Sequence, residues 1–475
     1  MVALKIFFFP VMAHGHMIPV LDMAKLFAFR GVHSTIITTP LNAHAFAKGV
    51  EKTNDLGFHM SLEILKFPKV EGLPEDCENA DQIADSALLP AFFAATRMLR
   101  DQLEQVLEAR RPNCLVCDMF FPWAVDLAAG LNIPTLVFHG SGFFASCAGE
   151  QMRLQRPYKG LKNDSDEFVL PNLPHKVKFC LSEIPPHERT EENSVFAKTL
   201  IEAKECELRS LGVVVNSFYE LEPDYADHYR NVLKRKAWHI GPVSLCNRSF
   251  EEKAQRGKQA AISEDECLKW LDSKSVNSVV YVCFGSISKF PSKQLHEIAV
   301  GLEASEQQFV WVVRRTGDEE IEDWMPEGFE ERTKGRGLMI RGWAPQVMIL
   351  DHEAVGGFVT HCGWNSTLEG IAAGVPMVTW PSFAEQFYNE KLITDVLRIG
   401  VAVGAKEWVV GTGGGNVKRD AVEMAVRSII VGEEAEERRN RCKGLKEMAR
   451  KAIEEGGSSH SDLSALIQEL SSYSS

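Results

Sequence analysis

Short runs of β-branched and aromatic residues alternate along the chain with segments whose apolar positions recur every three or four residues. Near-continuous apolar runs of this length predict strands buried on both faces. The helical segments between them predict parallel sheets covered by helices on either side, so the fold class is α/β. In the first half the predicted strands are Leu4–Val11, His33–Thr39, Asn113–Asp118, Thr135–His139 and Val213–Phe218. In the second half they are Ser278–Gly285, Gln308–Arg314, Leu338–Arg341, Val355–Thr360, Pro376–Thr379 and Gly400–Gly404. A helix His16–Arg30 follows the first strand, with Val20, Met23, Ala24 and Phe27 at helical spacing and a stop before Gly31.

The alternation fails over Phe250–Glu266, which reads FEEKAQRGKQAAISEDE, is charged and is short of apolar residues. Such a stretch predicts an interdomain linker, 250–266, between an N-terminal domain 1–249 and a C-terminal domain 267–455. In doubly wound sheets ligands bind outside the carboxyl ends of the strands, which predicts a site in a cleft between the two domains. Gly411–Gly415 reads as a flexible loop.

Composition narrows the function classes. A chain of 475 residues, 45% hydrophobic and 25% charged, is globular and long enough for two or three domains. Lys and Arg number 52 against 65 Asp and Glu, a net charge of −13, which disfavours attraction to nucleic acid or to an anionic membrane surface. A small anionic ligand remains compatible, because screening over roughly 8 Å lets a local site be positive. No stretch reaches the roughly 18 apolar residues needed to span a bilayer. The apolar opening Met1–Ala13 holds a Lys and Pro10 and runs straight into a helical pattern, which predicts a buried first strand and not a signal peptide. Eleven cysteines, mostly inside apolar runs such as Val282-Cys283-Phe284, suit a reducing, cytoplasmic setting. Cys114 and Cys117 form a C-x-x-C within a predicted strand and read as core thiols.

Neither the G-x-G-x-x-G nor the P-loop fingerprint occurs. A different phosphate device follows the strand Val355–Thr360: His361-Cys362-Gly363-Trp364-Asn365-Ser366-Thr367-Leu368-Glu369-Gly370 reads as a tight turn at Gly363 and then a helix start. Unpaired N–H groups and the positive dipole end there suit a diphosphate, and His361, Asn365 and Ser366 add side-chain donors. Ser366-x-x-Glu369 is equally a capping box. Upstream, Trp343-Ala344-Pro345-Gln346 offers a stacking face for a base and an amide for its edge. At the carboxyl end of the first strand lie His14 and His16, the residue type suited to removing a hydroxyl proton near neutral pH. Their H-x-H spacing has no third ligand nearby in sequence, and the D-x-D Asp164-Ser165-Asp166 lies in the polar stretch Lys159–Glu167, so no metal is expected.

From Trp343 to Gln386 the segment WAPQVMILDHEAVGGFVTHCGWNSTLEGIAAGVPMVTWPSFAEQ resembles, over its full 44 residues, the signature box of plant secondary-product UDP-glycosyltransferases, family 1. FFPVMAHGHMIP, VCDMFFP, Val215-Asn216-Ser217-Phe218, VYVCFGS and the Gly457–Leu466 region extend the resemblance over essentially the whole chain. It implies the GT-B fold, two Rossmann-like domains facing each other, with a final segment 456–475 crossing back to the N-terminal domain. It further implies UDP-glucose as donor and no cofactor, with Trp343 stacked on uracil and Ala344 and Gln346 at its edge. Glu369 would hold the ribose hydroxyls, and Ser286, His361, Gly363, Asn365 and Ser366 would surround the diphosphate. Trp364, Glu385 and Gln386 would line the sugar; Gln386 and Trp364 match the glucose-using members. The His of GHMIP, His16, takes the place of the catalytic base and Asp118 that of the acid orienting it, leaving His14 to the surroundings or solvent. The roles are those of a Ser-His-Asp triad with the acceptor's own hydroxyl in place of Ser, and displacement inverts the anomeric centre.

The acceptor site falls outside the signature box. Phe120, Phe121, Phe143 and Leu88 are candidates for a pocket taking a lipophilic flavonoid, other phenolic or triterpenoid. Two other readings stay open: a UDP-sugar 2-epimerase-like isomerase, which would lack WAPQ and this box ending, and a non-catalytic nucleotide-sugar binding protein, which would have no need of His16 and Asp118.

Overall fold

The structure is a computed structural model that describes residues 3–83, 86–189, 195–313, 324–409 and 416–473. Among the described residues there are fifteen strands: β1 Lys5–Phe9, β2 His33–Thr38, β3 Met60–Ile64, β4 Cys114–Asp118, β5 Thr135–Phe138, β6 Glu167–Leu170, β7 Val177–Cys180, β8 Gly212–Val215, β9 Ala237–His239, β10 Val279–Cys283, β11 Gln308–Val313, β12 Gly337–Arg341, β13 Val355–Thr360, β14 Met377–Thr379 and β15 Gly400–Ala402. Two compact units emerge. One comprises Met1–Phe143, Thr190–Cys246 and Lys451–Ser475, and the other Phe144–Arg189 and Asn247–Arg450.

The first unit is built on a seven-stranded parallel sheet in the order β3-β2-β1-β4-β5-β8-β9. The Phe run of β1 explains why it sits in the middle. Phe7 and Phe9 enter the core on one face with Phe92, Leu103, Leu107 and Val125, while Ile6 and Phe8 enter the core on the other with Met17, Val20, Met23 and Phe27. Side chains alternate across a strand, so an unbroken apolar run is what a strand covered on both faces requires. Each such Phe contributes about 1.5–3 kcal/mol relative to exposure. The last helix, Ser458–Ser472, buries Leu463, Leu466 and Leu470 in the second of these cores, and its Asp462 pairs with His239.

The second unit carries a six-stranded parallel sheet in the order β12-β11-β10-β13-β14-β15, with the hairpin β6–β7 apart from it. Val280 and Val282 of β10 pack under the helices Ser292–Ala304 and Arg419–Val431. In both sheets the strand order reverses beside the sheet's first strand in sequence, at β1/β4 and at β10/β13. Connections on the two sides of such a point leave the sheet toward opposite faces and open a crevice at the carboxyl ends.

The α/β class and the two parallel-sheet domains of the GT-B fold are as the sequence implied. Four strands lay outside the predicted set: β3, β6, β7 and β9. β3 and β9 are sheet edges, where one-sided pairing does not demand a long apolar run. Arg314 of the predicted strand Gln308–Arg314 and the loop Gly411–Gly415 lie outside the described residues. The stretch 250–266 is folded onto the second unit. Ser249 caps the helix Phe250–Ala254 and Ser263 accepts from Glu266 N–H at the start of Glu264–Asp272.

Candidate active site

The first helix begins at His14, two residues before its expected start, because the Ala13 carbonyl accepts both His16 N–H and Met17 N–H at 2.9 Å. His16 is thereby fixed in the first turn of a helix beside the β1/β4 switch point. Its Nδ1 stands 2.7 Å from Asp118 Oδ2. Asp118, the last residue of β4 and 2% exposed, also accepts from Val11 N–H at 3.3 Å and Phe120 N–H at 3.1 Å. Those bonds fix the carboxylate independently of the histidine. With Nδ1–H donating to Asp118, the Nε2 lone pair is the basic position of the ring. Gly140, at φ +71°, lets the chain pass close by: a Cβ there would lie 3.3 Å from His16 Cε1.

His14 is buried and paired with Asp81, so it is neither solvent-facing nor part of the His16–Asp118 pair. Of the four acceptor candidates, two need correcting. Phe121 is wholly buried and stacks on Phe9 with ring centroids 4.5 Å apart, and Phe143 is wholly buried against Tyr229 and His239. Both side chains therefore belong to the core. Phe120 is partly exposed, 5.7 Å from the His16 ring and 5.2 Å from Phe93, and Leu88 is also partly exposed. Phe93, which the sequence did not single out by itself, is brought to the same place by the helix Leu89–Arg97.

In the second unit the register pairing Cys283 with Thr360 sets the turns after β10 and β13 side by side. Ser286 follows Gly285, whose φ is +74° and whose position a Cβ would fill at 2.5 Å from both Cε1 and Nε2 of His361. The imidazole also meets Gly363, where a Cβ would lie 2.5 Å from Nε2. Burial pushes the His361 pKa down to about 4, so the ring is neutral at physiological pH. Cys362 bridges the turn in the left-handed region at φ +63°, held by Asn389 Nδ2 donating to its carbonyl at 2.8 Å. The helix Trp364–Ala373 then starts with Gly363 as its N-cap.

The remaining residues lie around that helix. Gln346 Nε2 donates to Ser366 Oγ at 3.1 Å and to Glu369 Oε2 at 2.7 Å, and Glu369 Oε1 accepts from Arg256. Trp364 N–H is 3.3 Å from Glu385 Oε1. Gln386 turns its Oε1 back onto Ser382 N–H at 2.9 Å and Phe383 N–H at 3.1 Å, closing the turn before its own helix. Trp343 and Ala344 lie between β12 and the helix Gln346–Leu350, with Ala261 N–H donating to the Trp343 carbonyl at 2.8 Å. Asn365 occupies the first turn of Trp364–Ala373. All twelve residues assigned to the donor thus belong to the second unit, on elements around the β10/β13 switch point.

The other sequence features are structural. Cys114 packs on one face of the first sheet and Cys117 on the other, as a spacing of three in a strand requires, and burial raises both thiol pKa values. Asp166 accepts from Lys162 and Asn163 N–H and Asp164 pairs with Arg189, in an exposed turn. Among the described residues no three His, Cys, Asp or Glu side chains form a metal-binding group, and no helix is long and apolar enough to cross a membrane.

A family model described as "UDP-glucoronosyl and UDP-glucosyl transferase" matches residues 197–412. The chain is 57% identical to a scopoletin glucosyltransferase of Nicotiana tabacum, over 99% of each chain. It is 55% identical to an anthocyanin 3'-O-beta-glucosyltransferase of Gentiana triflora, again over 99% of each. Glycyrrhiza uralensis UGT73P12 complexed with glycyrrhetinic acid 3-O-monoglucuronide superposes with a TM-score of 0.93 at 41% identity, covering 100% of this chain and 96% of that one. These relatives favour a transferase over the isomerase and the non-catalytic binding protein.

Proposed function

Because the chain belongs to the family of UDP-glucuronosyl and UDP-glucosyl transferases, we propose that His16 and Asp118 form the acid–base pair of its glucosyl transfer and that the twelve residues around the β10/β13 switch point hold the donor. The enzyme is a UDP-glucose-dependent O-glucosyltransferase. The observation that carries the proposed roles is the 2.7 Å contact from His16 Nδ1 to a carboxylate that two backbone N–H groups already fix.

Nε2 takes the proton of the acceptor hydroxyl as its oxygen attacks C1 of the glucose. The bond from C1 to the diphosphate breaks with its electron pair on the phosphate oxygen, and Asp118 stabilises the imidazolium that results. The leaving diphosphate gathers charge beside the N-terminus of Trp364–Ala373 and the neutral His361, donors already in place before the bond breaks. An α-linked donor then gives a β-glucoside without a metal. The acceptor is a lipophilic small molecule of the flavonoid or other phenolic class, with a triterpenoid as the second class; the Phe93–Phe120 pair beside His16 favours a flat aromatic ring.

The test is UDP release from UDP-glucose with a panel of flavonols, coumarins and triterpenoids in the presence of EDTA, with the product's anomeric configuration read by NMR. Acceptor-dependent release that persists in EDTA and yields a β-glucoside is expected. Release that stops with EDTA, or an α-glucoside, refutes the mechanism.

The low pKa of His361 has a separate consequence. A group pushed down to about 4 gains its proton only as pH falls through that value, so it stays neutral between about pH 5 and 8. UDP-glucose affinity, measured by calorimetry in that interval, is expected to show no inflection from this group. Affinity that climbs as pH falls through about 6.5, and does so only when His361 is present, would show an imidazole titrating at its ordinary value.

A further inference from the structure

The stretch 250–266 contributes more than a connection. Lys253 Nζ donates to Asp351 Oδ2 at 2.6 Å, Ala261 N–H donates to the Trp343 carbonyl, and Gly257 lies directly against the Trp343 indole at φ +95°. Between these anchors Arg256 Nη1 donates to Glu369 Oε1, with the two side chains only 10% and 5% exposed. The other oxygen of the same carboxylate takes the Gln346 amide. Glu369 is therefore gripped from both ends, by a guanidinium on one oxygen and an amide on the other.

A buried ion pair is weak evidence of stabilisation, since desolvation offsets most of the attraction, but it does specify orientation. Two donors on two oxygens fix the plane of the carboxylate, and each oxygen keeps a lone pair for a further donor. Two adjacent hydroxyls on a five-membered ring present a pair of donors to such a carboxylate. Resting on the assignment of Glu369 to the donor's ribose, we propose that Arg256 is a positioning residue of the nucleotide site, setting Glu369 to accept the 2'- and 3'-hydroxyls. The segment around it then forms a wall of that site, and the enzyme's preference for a ribonucleotide donor depends on it.

The experiment compares UDP with 2'-deoxy-UDP by calorimetry on the native enzyme, Arg256→Ala and Arg256→Lys, with turnover measured at saturating UDP-glucose. The native enzyme is expected to favour UDP. Arg256→Ala is expected to weaken UDP by about tenfold, because the Glu369 carboxylate loses one of the two donors that fix its plane, while 2'-deoxy-UDP weakens less, so that discrimination shrinks several-fold. Saturating turnover should change by less than about threefold, and Arg256→Lys, which keeps the charge without the planar fork, should restore part of the discrimination. A general loss of packing would weaken both nucleotides equally, and that result overturns the proposal. So does tighter UDP binding by Arg256→Ala, which would make the arginine an obstruction. A native enzyme that binds both nucleotides equally overturns the ribose assignment of Glu369 together with this inference, whereas native discrimination left intact in both variants overturns the inference alone.

Discussion

Replacing His16 by Ala is expected to lower kcat by about 10²- to 10⁴-fold while leaving the affinity for UDP within about twofold. The separation follows from where the residue sits. His16 belongs to the first unit with Asp118, and the residues assigned to the nucleotide all belong to the second. A base acts on the acceptor's proton, so its loss slows the chemical step without removing a contact to the donor. Asp118→Asn is expected to approach the same loss with the imidazole still present, because an amide can offer Nδ1 an N–H and so favour the tautomer whose proton sits on Nε2. Stopped-assay kinetics with UDP-glucose and a responsive acceptor, alongside UDP calorimetry, measure both quantities. A His16→Ala enzyme with native kcat would remove His16 from the chemistry. One with native kcat at saturation and lost UDP affinity would place it at the donor.

The parts of this arrangement legible in the sequence are those set by local pattern. The Phe run of β1 could only be a strand buried on both faces, and the turn from β13 into the helix Trp364–Ala373 announces itself through Gly363, a helix start and polar side chains. What stayed hidden depends on partners distant in the chain. Arg256 lies 113 residues from Glu369, within a stretch whose charge and lack of period look like those of a solvated linker. Its destination is set by the packing of Gly257 on Trp343, which no periodicity encodes. His14 meets Asp81 in the same way, across 67 residues. Phe120 and Phe121 show the limit from the other side. Two identical neighbours were equal candidates for a pocket, yet one is partly exposed beside His16 and its neighbour is wholly buried on Phe9. Sequence names the residue type; which of two adjacent rings meets the substrate depends on what lies above and below them.

The glycine that seats His361 should prove as intolerant as the chemistry itself. Gly285→Val is expected to weaken UDP binding and lower kcat/KM by about 10²- to 10³-fold, the range seen when one preorganised donor to a developing anion is lost. Two costs act together. At φ +74° a β-branched residue is an outlier among L-residues, and its Cβ would begin 2.5 Å from the imidazole. Gly363 approaches the same edge of the ring, where a Cβ would likewise lie 2.5 Å from Nε2. His361 must rotate out of the turn, or the turn must open and carry Ser286 with it. Either movement removes donors from the place assigned to the diphosphate. The damage should stay local, since the strands on both sides are held by β10–β13 pairing from Val279 to Cys283. The variant should therefore keep native circular dichroism and still bind a phenolic acceptor at the His16 end, measured by quenching of intrinsic fluorescence. Gly285→Val with native UDP affinity would mean that His361 does not touch the phosphates, and the helix N-terminus alone would then have to stabilise the departing charge.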